Sequence, residues 1–122
     1  MIAGAVTLSR EAIVFLEFRG PSSAVTTDAV IDTGFTDFLS LPLSLVTALG
    51  LTYLQTDKVF LADGSEIAID QYEVTVIWDG QQRDVIAHCL EGSPLVGMSL
   101  LYDHLLTMEV VSRGPVSIGR IP

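Results

Sequence analysis

Cysteine is almost missing from this chain of 122 residues: Cys89 stands alone. No intrachain disulfide can brace the fold, and no Cys/His spacing matches a zinc site. A single unpaired thiol fits a reducing compartment. Basic residues are scarce too. Six Lys and Arg against fifteen Asp and Glu give a formal charge of −9. That balance makes the chain a poor candidate for binding along a nucleic-acid phosphate backbone, which needs clustered cations. No apolar run approaches the roughly 20 residues that span a bilayer. The apolar start, Met1 to Leu8, lacks a basic n-region, which argues against a signal peptide. These absences lead to the expectation of a soluble, cytoplasmic protein with neither nucleic acid nor membrane as partner.

What is present is apolar residue, 49% of the chain, in a length suited to one core. A single domain over residues 1–122 is expected, with no repeat, linker or low-complexity segment. The dominant texture is strand. Ala12–Phe18 is rich in β-branched and aromatic residues and stops at Gly20-Pro21-Ser22-Ser23. Val25–Asp32 alternates in part, then turns fully apolar through Ala29, Val30 and Ile31 before Asp32. Phe38–Leu41 resumes extended structure. Pro42–Leu49 reads as a short helix with Ser40 or Leu41 near its cap, Pro42 in its first turn and Gly50 at C′.

Two hairpins follow, because Asp-Gly favours turns whose two central residues take positive φ. Lys58–Ala62 and Glu66–Ile69 flank Asp63-Gly64, and Tyr72–Trp78 and Gln82–Cys89 flank Asp79-Gly80. Past the loop Glu91-Gly92-Ser93-Pro94 come a short strand Leu95–Gly97 and helix-compatible residues Met98–Asp103. Strands over Leu105–Val111 and Val116–Ile121 follow. The fold class is all-β, mainly strand with one or two short helices, in a closed or nearly closed barrel.

Asp32-Thr33-Gly34 is the first candidate for chemistry. A carboxylate at the end of an apolar strand is costly to bury unless it is hydrogen-bonded or paired. Gly34 permits an unusual backbone and close approach of its N–H, and the Thr33 hydroxyl can anchor the loop. The tripeptide alone is also an ordinary turn with a capping Asp. Its surroundings say more. Ala29-Val30-Ile31-Asp32-Thr33-Gly34-Phe35-Thr36-Asp37-Phe38-Leu39-Ser40-Leu41-Pro42 resembles the active-site segment of retropepsin-like aspartic proteases. Leu61-Ala62-Asp63-Gly64-Ser65 resembles their flap tip, and Pro94-Leu95-Val96-Gly97-Met98-Ser99-Leu100-Leu101 their second signature. The three stretches occur in family order. The likeness is to the single-domain bacterial and archaeal members, since viral ones usually carry Ala at the Phe35 position and often Arg at the Met98 position. Met98 cannot pair with an acid of the active-site segment, so an ionic partner for Asp37 must come from elsewhere.

The resemblance implies a retropepsin-like acid-protease barrel that is one half of a homodimer, acting on a peptide or protein substrate with no cofactor or metal. Asp32 would be the catalytic carboxylate, with Thr33 and Gly34 bracing it. Ala62, Asp63, Gly64 and Ser65 would close over substrate as the flap, and Leu95, Val96 and Gly97 would form the structural motif. Aspartic-protease chemistry needs two carboxylates sharing a proton around one water. One motif per chain supplies one of them, so a two-fold dimer is implied. The alternative is a non-proteolytic module of the same fold that binds peptides or assists assembly.

Other residues rank lower. His88 and Cys89 are adjacent, so in a strand they face opposite ways; His88 reads as partly exposed and Cys89 as core. His104 follows Asp103 at a helix end, where a His suits the dipole. Asp28 and Asp37 read as loop or edge residues, and Trp78 as packing. Neither His accompanies a serine-nucleophile motif. The terminal segments Met1–Leu8 and Val116–Ile121 could interleave with a second subunit.

Overall fold

A computed structural model of the chain describes all residues, Met1–Pro122. Ten strands and two short helices run in the order β1 (Ile2–Val6), β2 (Ala12–Arg19), β3 (Ala24–Ile31), β4 (Leu39–Leu41), α1 (Leu43–Leu49), β5 (Thr52–Phe60), β6 (Glu66–Trp78), β7 (Gln81–Cys89), β8 (Leu95–Val96), α2 (Met98–Leu101), β9 (His104–Met108) and β10 (Pro115–Arg120). They form one sheet in the order β5-β6-β7-β4-β8-β3-β2-β1-β10-β9, and an added β6–β2 pairing closes the middle of it on itself. Six strands, β2, β3, β8, β4, β7 and β6, therefore make the barrel that the sequence led us to expect. No helix is long and apolar enough to cross a membrane.

Alternation builds the core. Along β2, Ala12, Val14, Leu16 and Phe18 point inward while the residues between them are exposed or half-buried. Val74, Val76 and Trp78 of β6 and Val85 and Ala87 of β7 meet them inside. Each fully buried large apolar side chain contributes about 1.5–3 kcal/mol relative to exposure. β6 begins differently. Its first residues, Glu66–Ala68, are exposed, and all of β5 is exposed. These two strands pair with each other as an arm projecting from the barrel.

Several boundaries differ from the expectation. β5 starts at Thr52 rather than Lys58, and β6 is continuous through residues 70–71 rather than broken there. Strand pairing on both sides carries a stretch whose own pattern is irregular. Pro42 is the N-cap itself, in extended conformation with no side-chain cap, because Ser40 is drawn into β4 and buried. Gly50 takes the left-handed C-cap position as expected, with φ 66°. α2 is a single turn ending at Leu101. His104 therefore opens β9 instead of closing a helix, and Asp28 sits within β3 on its outer face rather than in a loop. β9 ends at Met108, short of Val111.

The two Asp-Gly turns are also not alike. At Asp79-Gly80 both residues have positive φ, 52° and 80°, as in a two-residue hairpin turn. At the arm's tip only Gly64 does, at 85°. There Gly64 N–H donates to Leu61 O, and Leu61 N–H to Ser65 O, a three-residue loop in which only the last position needs glycine. At the other end, β1 pairs with β10 and β10 with β9, all within one chain. That leaves β5 and β9 as the two outer edges.

Candidate active site

Asp32 sits directly after β3, on the loop that crosses to β4. The short strand β8 fits between those two, parallel to β3 (Val30↔Leu95, Ile31↔Val96) and antiparallel to β4 (Leu39↔Val96, Ser40↔Leu95). It pins both ends of the loop. The Asp32 N–H donates to Val96 O at 2.9 Å, and the Val30 N–H to Pro94 O at 2.8 Å. Gly97 N–H donates to Phe38 O at 3.0 Å. The first free N–H groups of α2 then find acceptors in the same loop: Met98 N–H donates to Phe35 O and Ser99 N–H to Asp37 O. The Ser99 hydroxyl adds a bond to Thr36 O at 2.6 Å. The stretch Leu95, Val96 and Gly97 thus clamps the segment that presents Asp32.

Close approach is what makes Gly97 necessary. A Cβ there would run into the Asp37 carbonyl oxygen and lie 2.7 Å from Phe35 Cδ2. Gly34 works by proximity as well, which revises the expectation of an unusual backbone: its φ is not in the left-handed region. Its N–H donates to Asp32 Oδ1 at 3.0 Å, and a Cβ would sit 3.3 Å from that oxygen. The carboxylate is therefore oriented by a backbone donor two residues ahead. Asp32 is half-buried, whereas Thr33 and Gly34 are exposed in the single chain. A cavity of about 810 Å³ lies elsewhere, beside Trp78, Arg83, Tyr102 and Arg120, and does not include Asp32.

At the tip of the arm, Asp63 Oδ1 accepts bonds from both the Ser65 N–H (2.9 Å) and the Ser65 hydroxyl (2.6 Å). These two bonds, the hydroxyl's first, hold the Asp63 carboxyl below its ordinary pKa of 3.8. Ala62, Asp63, Gly64 and Ser65 are all exposed and lie on the arm, away from the β8 clamp.

Sequence reasoning ranked His88 low, as the partly exposed strand residue that it is, and did not single out Gln71. His88 Nε2 lies 3.6 Å from Asp37 Oδ2, close enough to pair with that acid when the imidazole carries a charge, as Met98 could not. The Phe35 ring meets the His88 ring edge-on, with centroids 5.7 Å apart. Gln71 is buried, and its Nε2 lies 3.4 Å from His88 Nε2. The usable signal was the acid left without a partner in the Asp32 segment. His104 is placed otherwise than expected: its Nε2 accepts from Trp78 Nε1 at 3.1 Å, outside the Asp32 loop. Cys89 is half-buried against the core, and burial first, then the negative charges of Glu91 and Asp70, pushes its thiol pKa up.

The sequence matches no protein-family profile and no curated protein. Solved structures do share the fold. A retropepsin-like aspartic protease from Rickettsia conorii aligns over 98% of this chain and 91% of its own, with TM-score 0.59 and 14% identity. EIAV protease in complex with the inhibitor HBY-793 aligns over 79% of this chain and 89% of its own, with TM-score 0.57 and 14% identity. The chain has the retropepsin-like fold.

Proposed function

We propose that this chain is half of a homodimeric aspartic endopeptidase that hydrolyses extended peptides, with Asp32 of each subunit forming the catalytic pair. The observation that carries this reading is the treatment of Asp32. Its backbone is bonded to Val96, its carboxylate is oriented by the Gly34 N–H, and its loop is clamped by Leu95–Gly97 in a retropepsin-like fold. One chain offers one such carboxylate. Two brought together by a two-fold axis share a proton, because two adjacent anions cannot both stay ionised. The ionised one takes a proton from a water whose oxygen attacks the scissile carbonyl carbon. The protonated one donates a hydrogen bond to the carbonyl oxygen, and a proton then passes to the leaving amine as the C–N bond breaks. Thr33, exposed in one chain, would bond across the two-fold axis.

Exposed apolar residues support the partners this chemistry needs. Leu105 on the outer strand β9, with Val110 and Val111 after it, offers a surface for a second copy. Val59, Phe60, Leu61 and Ile67 line the projecting arm and suit a flap that closes on an extended peptide, which would add as a strand. A cytoplasmic setting fits the lone, unpaired Cys89.

The test is cleavage of a diverse peptide library by the purified protein from roughly pH 3 to 7, with light scattering to fix its oligomeric state. Asp32→Asn and Asp32→Ala should abolish cleavage while leaving a folded dimer, and a pepstatin-type inhibitor should block the wild type. Cleavage surviving in either variant overturns the assignment. A folded dimer that cleaves nothing points to a peptide-binding or assembly module instead.

A further inference from the structure

His88 occupies a position that its residue type alone does not explain. It lies on β7 with Gln71 of β6 directly across on one side and Ser40 of β4 on the other. Its side chain is only 14% exposed. One ring atom, Nε2, faces two different partners: Asp37 Oδ2 at 3.6 Å from the active-site loop, and Gln71 Nε2 at 3.4 Å from the root of the flap arm.

Gln71 cannot rotate its amide to suit both protonation states of the imidazole. Its Oε1 accepts from Gln55 Nε2 at 2.9 Å, and its Nε2 donates to Asp57 Oδ2 at 2.9 Å. Gln55 and Asp57 both belong to β5, so these bonds form a side-chain clasp between the two strands of the arm, where β6 passes from exposed arm into barrel. Turning the amide over would forfeit the Asp57 bond and set Gln71 Oε1 against that carboxylate, even if Gln55 turned with it. Nε2 of His88 therefore meets a fixed donor on one side and a carboxylate acceptor on the other. With a lone pair on Nε2 it can accept the second Gln71 N–H. With a proton there it can donate to Asp37, but it then opposes the Gln71 N–H.

We propose that His88 is a positioning residue whose protonation state selects between flap and active-site loop. Neutral and unprotonated at Nε2, it holds the Gln71 clasp and steadies the root of the arm. Protonated, it transfers its bond to Asp37, braces the loop that carries Asp32 and releases the arm. The groups facing the ring are Asp37 from the loop, Gln71 with Asp57 behind it from β6 and β5, uncharged Ser40 from β4, and the Phe35 ring. The consequence for catalysis rests on the endopeptidase reading; the structural coupling does not.

The experiment is amide hydrogen exchange across residues 57–69, corrected for intrinsic rates, at several values from roughly pH 5 to 8, the interval in which histidine side chains commonly titrate. In the wild type, protection of the arm should fall by about 3- to 10-fold toward the acid end, the effect of losing one hydrogen bond. His88→Gln keeps a donor and an acceptor but cannot titrate, so the arm's protection should become independent of pH, which also separates His88 from His104. His88→Phe should leave the arm at its low-protection level throughout. If the protein cleaves peptides, KM should follow the arm's protection, and His88→Gln should flatten the KM profile. A pH-dependent arm without any cleavage supports the coupling and sinks the endopeptidase reading. Cleavage accompanied by arm protection that is flat with pH in the wild type, or equally pH-dependent in His88→Gln, overturns the coupling.

Discussion

Adding one methyl group to Gly97 tests whether the β8 clamp holds the Asp32 loop. In Gly97→Ala the new Cβ meets backbone and ring: the Asp37 carbonyl oxygen, Phe35 Cδ2 at 2.7 Å and Phe35 O at 2.8 Å. None is the far end of a flexible side chain. Relief requires moving either the loop or α2, whose bonds Met98 N–H to Phe35 O (2.8 Å) and Gly97 N–H to Phe38 O (3.0 Å) resist separation. Overpacking of this kind costs about 2–3 kcal/mol. For 122 residues the entropy of unfolding near the midpoint is about 0.26 kcal/mol/K, so each kcal/mol is worth about 4 °C. The Tm should therefore fall by about 8–12 °C, measured by circular dichroism at one fixed protein concentration so that any dimerisation does not shift the comparison. Gly119→Ala is the control, because nothing lies within 4 Å of a Cβ there; its Tm should move by less than about 4 °C. Equal, small shifts in both variants would show that the loop and the second signature are not packed against each other as described.

The flap tip and the thiol yield two further expectations. The Asp63 carboxyl is held below its ordinary value by Ser65. A depressed pKa contributes order that is complete above the unfolded value and lost as pH falls through the folded one, so the tip should loosen only below about pH 4. Ser65→Ala should return the Asp63 titration, followed by carboxyl NMR, part of the way toward 3.8; an unchanged titration refutes the role given to the Ser65 hydroxyl. Cys89, its thiol pKa raised by burial, should react with a disulfide reagent at pH 8 at least about ten-fold more slowly than a free cysteine. In denaturant the difference should vanish, and fast labelling of the folded protein would contradict its placement against the core.

The strand periods, the left-handed Gly50 and the Asp79-Gly80 turn were legible because each depends on conformational preferences within a few residues. Ile31-Asp32-Thr33-Gly34 was legible as a candidate for a related reason: a carboxylate closing an apolar run needs a nearby donor, and the Gly34 N–H two residues on supplies it. The difference between the two Asp-Gly turns was hidden, since the dipeptide does not determine where strand pairing resumes, and at the arm it resumes at Ser65. Seating β8 between β3 and β4, pairing β1 with β10 and extending β5 back to Thr52 are choices among distant partners, made by the whole barrel at once. The same holds for His88. Its own strand says only that it alternates with Cys89; closure of the barrel brings Phe35 and Asp37 of one loop and Gln71 of β6 around its ring, from two other parts of the chain. By itself the sequence determined the local signals, because short-range sterics and hydrogen bonding suffice for them. Tertiary structure alone decided which charged and polar groups face one another, because that depends on register and closure across separations no local period encodes.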